Sequence, residues 1–330
     1  MIADGKYLTA LWYDGESESV LYIDQTLLPH QLIIRKMITF EDGLRAIRWL
    51  EVRGAPLIGV AGAFALWLGM RESAGRGAPE ERFNTLAERL LATRPTAINL
   101  ARGIRELKHD LHSETLLLQR AITFREEEIE RCRRIGMNGV PIIRALAHKK
   151  SDGVVNILTH CNAGWLACVD YGTALAPIYL AHNGGIKVHV WVDETRPLNQ
   201  GSRLTAYELE EHGVPCTVIT DNAGGLLMQR GEVDLVIVGA DRITRNGDVA
   251  NKTGTYLKAL AAFDNGIPFY VAAPETTFDY ELETGSQVPI EERHGNELQV
   301  ETPDVAVRNP AFDITPARLI TGYLTDKQTL

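Results

Sequence analysis

The sequence predicts an α/β protein, with a doubly wound parallel sheet in a C-terminal domain and a smaller, mainly helical domain before it. After residue 150, nearly continuous apolar runs alternate with helical stretches, whereas before it apolar residues recur mostly at helical spacing. The chain has 330 residues, of which 45% are hydrophobic and 23% are charged. This length and composition correspond to about two globular domains of ~150 residues, each with its own core.

The first half opens with two short strands and continues as helices. The segments YLTALWYD and SVLYID flank the turn Asp14–Gly15 and predict a β-hairpin. Apolar residues then recur at helical spacing after Thr39. The polar segment 148–153 (HKKSDG) marks the boundary. We therefore expect domains at 1–150 and 151–330.

The second half contains five apolar, β-branched runs separated by helical stretches. Strands that helices cover on both faces are apolar along their whole length, so these runs predict a parallel sheet with right-handed crossovers. The predicted strands are 154–159 (VVNILT), 188–192 (VHVWV), 216–220 (CTVIT), 234–239 (DLVIVG) and 268–272 (PFYVA).

Charge and cysteine content exclude several classes of function. The 34 basic and 43 acidic residues give a net charge of -9, so there is no overall attraction for nucleic acid or for an anionic membrane. The N-terminal stretch is acidic where a secretory signal is basic, and the longest apolar run, 57–70, falls short of the ~20 residues that span a bilayer. The four cysteines form no C-x-x-C pair, which argues for reduced thiols without structural zinc. We expect a soluble cytoplasmic protein.

Polar residues follow the predicted strands at the edge where open parallel sheets bind ligands. Cys161 and Asp241 each come directly after one of these strands, as does Asp221. We interpret Asp221 as a cap of the following helix. Cys161 is a poor cap, and amide donors near a helix start would favour its thiolate. We therefore interpret Cys161 and Asp241 as functional.

Three further segments are candidates for anion binding. Asn251 lies at the predicted start of the helix that continues as YLKALAAF, with Lys252 in its first turn, and the free N–H groups of this helix start together with the ammonium would bind a phosphate. An ordinary N-cap in a surface loop explains this segment equally well, and it matches neither a P-loop nor a dinucleotide fingerprint. Arg53 precedes a helix start marked by Pro56, and Arg94 lies in a second polar segment, although a lone arginine is more often a surface charge.

Taken together, long segments resemble the methylthioribose-1-phosphate isomerase family over almost the whole chain. The most specific are THCNAG, DETRP with QGSRLTA, and GADRI–NGDVANK–GTY. The others are VRGAPLIGVAGAFA, ATRPTAINL, ITDNAGGLLM, PFYVAAPETTFD, VPIEER and VRNPAFDITPA.

This resemblance implies a helical N-terminal domain, a Rossmann-like C-terminal domain and a homodimer. It also implies the reversible conversion of 5-methylthioribose 1-phosphate to 5-methylthioribulose 1-phosphate in methionine salvage. The partner it implies is therefore a small sugar phosphate, and it implies no cofactor or metal. By motif, Cys161 and Asp241 match the family's catalytic pair. The family's substrate-binding positions fall on Arg53, Gly54, Ala55, Arg94, Gln200, Asn251 and Lys252.

The reaction explains why such residues are needed. The phosphate blocks the anomeric oxygen, so the ring opens only with an acid at the ring oxygen, after which hydrogen moves from C2 to C1. Burial favours the uncharged form of a carboxyl, which suits Asp241 as that acid. Cys161 either removes the C2 proton or stabilises the migrating charge. A hydride shift, in which neither residue takes the carbon-bound hydrogen, is equally compatible with the pair.

Other functions remain open at this point. Segment 298–307 (LQVETPDVAV) is shorter than in many relatives, and Trp165 and Cys168 stand where small residues are usual, so 5-deoxyribose 1-phosphate is an alternative substrate. Ribose 1,5-bisphosphate would need a second cationic site, for which the sequence offers no clear candidate. A regulatory subunit of a translation-initiation exchange factor would share the fold but would need neither the thiol nor the acid.

Overall fold

A computed structural model of the chain describes residues 1–94, 97–302 and 305–330. Pro95 and Thr96 of segment 92–100, and Pro303 and Asp304 of segment 298–307, lie outside the described residues. Within the described ranges, no helix combines the length and apolar character needed to cross a membrane.

The chain forms two compact units, and each unit is made of segments that are not contiguous in sequence. The first unit comprises Met1, Tyr7–Arg131 and Trp165–Gly172, and the second comprises Ile2–Lys6, Cys132–Gly164 and Thr173–Leu330. The domain boundary near residue 150 stays a prediction.

The first unit combines an antiparallel sheet with helices. Strands β3, β4 and β5 pair in that order, and β3 and β4 are the two strands around residues 15–18. Helix α1 begins after Thr39, whose hydroxyl accepts a hydrogen bond from the Asp42 amide. Two short strands, β1 (Ile2–Ala3) and β2 (Lys6–Tyr7), come first in the chain, and their residues 2–6 belong to the second unit. The elements that follow are β3 (Leu11–Asp14), β4 (Ser19–Ile23), β5 (Ile34–Met37), α1 (Phe40–Arg48), α2 (Ala55–Glu72), α3 (Pro79–Leu91), α4 (Ile98–Glu106), α5 (Glu114–Ala147, shared with the second unit) and α6 (Trp165–Cys168).

Helix α2 is the core of this unit and is buried from Pro56 to Met70. It is apolar on all sides, as expected of a helix surrounded by other elements. Glycines bring α4 unusually close to it, because a Cβ on Gly103 would lie 2.1 Å from the carbonyl oxygen of Gly59. The two backbones therefore touch with no room for a side chain.

Replacing Gly103 by Ala is expected to lower the free energy of unfolding by about 1–3 kcal/mol or more, because the added methyl group overlaps a backbone atom. The matched control is Gly225→Ala, where the new Cβ would meet Ala261 at an ordinary 3.7 Å. Urea unfolding monitored by circular dichroism measures both. Equal midpoints for the two variants would contradict the close packing of α2 and α4.

The second unit contains a larger sheet, a smaller sheet and their helices. Its elements after α5 are β6 (Val155–Thr159), α7 (Ala176–Asn183), β7 (Val188–Asp193), α8 (Ala206–Glu211), β8 (Cys216–Ile219), α9 (Gly224–Gln229), β9 (Leu235–Val238), β10 (Arg242–Thr244), β11 (Val249–Lys252), α10 (Thr255–Asp264), β12 (Phe269–Ala272), β13 (Phe278–Asp279), β14 (Phe312–Thr315) and β15 (Gly322–Leu324).

The larger sheet is parallel, with the strand order β15-β12-β9-β6-β7-β8. The five predicted strands are confirmed, and so is the doubly wound α/β class. The chain builds outward from β6 to β8 and then restarts at β9 on the other side of β6. The strand order thus reverses between β6 and β9, and open α/β sheets bind ligands at such a switch point.

A four-stranded sheet follows β9, with the order β13-β10-β11-β14. Strand β11 pairs antiparallel with both β10 and β14. No pattern described above predicts this sheet. It matters for function because it carries the segment from Asp241 to Lys252.

Candidate active site

Cys161 and Asp241 follow the two neighbouring strands at the switch point. Strands β6 and β9 are paired in parallel, with Leu158 opposite Val236, and the two residues lie just past the strand ends. The loops beyond the strands are also in contact, because a Cβ on Gly239 would lie 2.9 Å from the Cβ of Ala163. Adjacent loops therefore carry the thiol residue and the carboxyl residue.

The backbone of Cys161 is held in an uncommon conformation. Its φ of 69° lies in the left-handed region, which is costly for a residue other than glycine. Its amide donates to Thr195 Oγ1 at 2.9 Å, and its carbonyl accepts from Thr205 Oγ1 at 2.7 Å. The half-buried thiol lies 3.5 Å from Nε2 of the buried Gln200. An amide donor thus faces the sulfur, and it comes from a side chain.

Asp241, Asn251 and Lys252 lie together on the second sheet. The Asp241 amide donates to the Ala250 carbonyl at 3.0 Å. Since Arg242 is opposite Ala250 in the antiparallel pair, Asn251 falls opposite Asp241, one position further along. The Lys252 ammonium donates to the Ala311 carbonyl at 2.7 Å. Structure and register therefore bring three predicted site residues together.

The predicted helix start at Asn251 and Lys252 is wrong, because both residues end strand β11. Helix α10 begins at Thr255, after Gly254 with a φ of 109°. The amides of Gly254 and Tyr256 donate to the Asp313 carboxylate, at 2.7 Å and 3.2 Å. Burial raises the pKa of Asp313, and these two amides oppose that shift. The Asp313 carboxylate thus occupies the amide groups at the start of α10 that were expected to bind a phosphate.

A buried group of charged side chains lies beside Cys161. The imidazole of His160 contacts Asp193 Oδ2 through Nδ1 at 2.8 Å and the Thr253 carbonyl through Nε2 at 3.0 Å. The Lys258 ammonium lies 3.0 Å from the same oxygen of Asp193. His160 and Asp193, with Asp221, offer ligand atoms within 4.8 Å of one another, as a metal site would. Lys258 already supplies the positive charge there, so we interpret the group as an ion-pair cluster.

The interpretation of Asp221 as a helix cap is also wrong. Its carboxylate accepts the amides of Thr195 and Arg196, at 2.8 Å and 2.7 Å, in the loop after β7. Helix α9 begins after Ala223 without a side-chain cap. Asp221 therefore fixes the loop whose Thr195 hydroxyl holds Cys161.

Several buried polar atoms near Cys161 have no hydrogen-bond partner among the described residues. Buried polar groups are nearly always hydrogen-bonded, so such atoms mark places for water or a polar ligand. The atoms are Asn162 Oδ1, Asp193 Oδ1, Asn199 Oδ1 and Gln200 Oε1. The switch point is therefore suited to a hydroxyl-rich molecule.

The remaining predicted residues belong to the first unit. Gly54, with a φ of 101°, precedes α2, whose first residue is Ala55, and Arg53 comes directly before them. Arg94 follows α3, and its buried Nε has no hydrogen-bond partner within the described ranges. Their roles in binding stay predictions.

The doubly wound fold of this chain is shared by a known class of proteins. The chain belongs to the Initiation factor 2 subunit family, whose family model matches residues 51–329. Among its relatives, the methylthioribose-1-phosphate isomerase of Desulfosudis oleivorans is 51% identical, with 96% of this chain and 92% of that protein covered. The enzyme of the same name from Methylorubrum extorquens is 49% identical, with 99% and 94% covered.

Solved structures agree in fold. The 5-methylthioribose 1-phosphate isomerase of Pyrococcus horikoshii has a TM-score of 0.88 and 38% identity, with 98% of this chain and 93% of that chain covered. A structure described as translation initiation factor eIF-2B, subunit delta, from A. fulgidus has a TM-score of 0.83 and 42% identity, with 98% and 96% covered.

Proposed function

We propose that this chain is an aldose–ketose isomerase that converts 5-methylthioribose 1-phosphate to 5-methylthioribulose 1-phosphate in methionine salvage. The observation that carries the proposal is the placement of Cys161 and Asp241 after the adjacent strands β6 and β9, at the switch point of the sheet. Relatives of about half identity over nearly the whole chain carry this enzyme's name.

The reaction is an internal rearrangement with no net gain or loss of atoms. The C1–O bond of the ring breaks and the ring oxygen takes a proton. Hydrogen moves from C2 to C1, and the C2 hydroxyl loses its proton to become the ketone. Substrate and product are isomers, so the protein needs only an acid/base and a group that supports the charge developing on the carbons.

Asp241 is the acid/base and Cys161 acts on the migrating hydrogen or its charge. Asp241 lies opposite Asn251, next to the segment that the resemblance assigns to substrate binding. The amide of Gln200 faces the sulfur of Cys161 and would stabilise negative charge on it. Positioned acid–base groups of this kind typically contribute ~10²–10⁴-fold to the rate.

Lys252 is proposed to bind the substrate phosphate from the end of β11. Replacing Lys252 by Ala is expected to raise KM about 10–100-fold, since a hydrogen bond to a charged group is worth about 1.5–3 kcal/mol. Steady-state kinetics measure the effect, with Lys149→Ala, an exposed lysine, as the control. Binding of the sugar without its phosphate should change far less. Equal losses for both ligands would argue against the phosphate contact.

Turnover of three sugars side by side tests the proposed function. The methylthio substrate should react best, ahead of 5-deoxyribose 1-phosphate and ribose 1,5-bisphosphate. A preference for the bisphosphate would replace the proposed substrate, and no turnover at all would favour a regulatory protein. Repeating the reaction in heavy water also tests the mechanism, because label at product C1 excludes a strict hydride shift.

The chain is further proposed to act as a homodimer in the cytoplasm. This rests on the family resemblance and on the acidic composition described above. Light scattering of the purified protein measures its mass, and a monomer would contradict the first part of this proposal.

A further inference from the structure

We propose that His160 is a positioning residue, which sets the distance between the thiol of Cys161 and the binding residues Asn251 and Lys252. This inference rests on the proposed function. Its physical basis is one imidazole that joins two loops, each carrying one half of the site.

The two halves of the site are held by different partners. Cys161 is fixed by the hydroxyls of Thr195 and Thr205, on the side of β7. Asn251 and Lys252 belong to β11, on the second sheet. His160 comes directly before Cys161, and its Nε2 contacts the carbonyl of Thr253, directly after Lys252. A single side chain therefore connects the main chain on both sides.

The geometry around His160 is what a rigid link requires. Its side chain is fully buried, and the two ring nitrogens contact different segments, Nδ1 the Asp193 carboxylate and Nε2 the Thr253 carbonyl. Lys258, itself buried, contacts the same carboxylate oxygen of Asp193. Gly254 allows the turn to come this close, because a Cβ there would lie 2.9 Å from both Cε1 and Nε2 of the ring.

A positioning role has a measurable consequence for catalysis. An error of about 1 Å in the placement of reacting groups can cost ~10²-fold in rate, even when every catalytic group is present. Releasing the turn after β11 would allow such a shift between Lys252 and Cys161. Breaking the contact with Asp193 alone would leave the link between the two loops in place.

Two variants separate these contacts. In His160→Gln, the amide nitrogen reaches about as far as Nε2 and can still donate to Thr253, but the contact with Asp193 is lost. In His160→Asn, the amide nitrogen replaces Nδ1 and can still donate to Asp193, but Thr253 is released. We expect H160N to lose ~10²-fold in kcat/KM and H160Q to stay within ~10-fold of the unchanged protein.

Stability should rank the variants in the opposite order. H160Q leaves the buried Asp193 with one partner fewer, so its Tm should be the lower of the two, although it is the more active variant. If His160 only filled the core, the variant with the lower Tm would also have the lower kcat/KM. If activity and Tm fall together, or if both variants keep full activity, the positioning role is wrong. The corresponding changes at His189, a half-buried histidine on β7 that contacts Thr217, serve as controls.

Gly254→Ala provides a test that leaves His160 unchanged. The added methyl group pushes the turn away from the ring while the contact with Asp193 persists. We expect the same ~10²-fold loss, and a folded, fully active variant would overturn the proposal. This variant also decides the question if neither H160N nor H160Q can be purified in folded form.

Hydrogen exchange separates failure of this inference from failure of the proposed function. Amides of residues 252–256 should exchange faster in H160N than in H160Q, measured by mass spectrometry on the protein without any sugar. If the unchanged protein does not isomerise the methylthio substrate, the proposed function fails while this measurement still tests the link. Equal exchange in both variants would refute the link itself.

Discussion

Asp241→Asn is expected to lower kcat for 5-methylthioribose 1-phosphate by ~10²–10⁴-fold while the protein stays folded. The amide has nearly the same shape as the carboxyl but neither gives nor takes a proton at the ring oxygen. The backbone contact of Asp241 to Ala250 does not depend on the side chain, so strands β10 and β11 should remain paired. Steady-state kinetics, with circular dichroism as a check on folding, measure the effect.

The matched control is Asp264→Asn, at the exposed end of α10. It makes the same Asp-to-Asn change in the same unit and should leave kcat within a factor of about two of the unchanged enzyme. Activity close to that of the unchanged enzyme in Asp241→Asn would remove Asp241 from the reaction. Equal losses in both variants would indicate an effect of net charge rather than of a specific acid.

Cys161→Ser is expected to have the second large effect, again a loss of most turnover in a folded protein. Oxygen replaces sulfur at nearly the same position, and the hydrogen bonds that fix residue 161 involve its backbone, so the loop should keep its conformation. A hydroxyl ionises far less readily than a thiol near neutral pH. It therefore serves poorly either as a base at C2 or as a support for migrating charge.

Cys216→Ser is the control for that experiment. Cys216 lies on the edge strand β8, and burial raises the pKa of its thiol, so it is the less reactive kind of cysteine. We expect full activity from this variant. If Cys161→Ser keeps most of its turnover, the thiol is not required and Asp241 must act with another group.

The central sheet could be predicted because most of its strands are largely buried on both faces. Segments such as LVIV of β9 are apolar at every position, which distinguishes them from amphipathic helices over a short stretch. The edge strand β15 and the strands of the second sheet have only two to four residues each, and those of the second sheet include charged side chains. Their structure depends on pairing with distant segments, such as β11 with β14, which a local pattern does not encode.

The positions of Cys161 and Asp241 beyond neighbouring strands could be predicted, whereas the local structure around Asn251 could not. Cys161 and Asp241 could be located because the sheet rule places ligands beyond the strand ends. The helix start assigned to Asn251 was wrong because the glycine at position 254 lets strand and helix follow each other within three residues.

Charged residues that act through distant partners were harder to find. Asp313 was missed because it meets α10 from a strand about 60 residues further along the chain. The signal for Lys258 was present, since it is the lone cation in the apolar helix YLKALAAF, but only the structure shows that it faces Asp193.

Asp313 also bears on how such a protein would discriminate among anions in a cell rich in orthophosphate. The amide groups at the beginning of α10 already hold a carboxylate, so this end of the helix attracts no stray inorganic ion. On the proposed function, selectivity would then depend on side chains such as Lys252, whose ammonium would meet a phosphate ester attached to a sugar. A competitor without the sugar would not reach the unpartnered polar atoms around Gln200 and would bind more weakly.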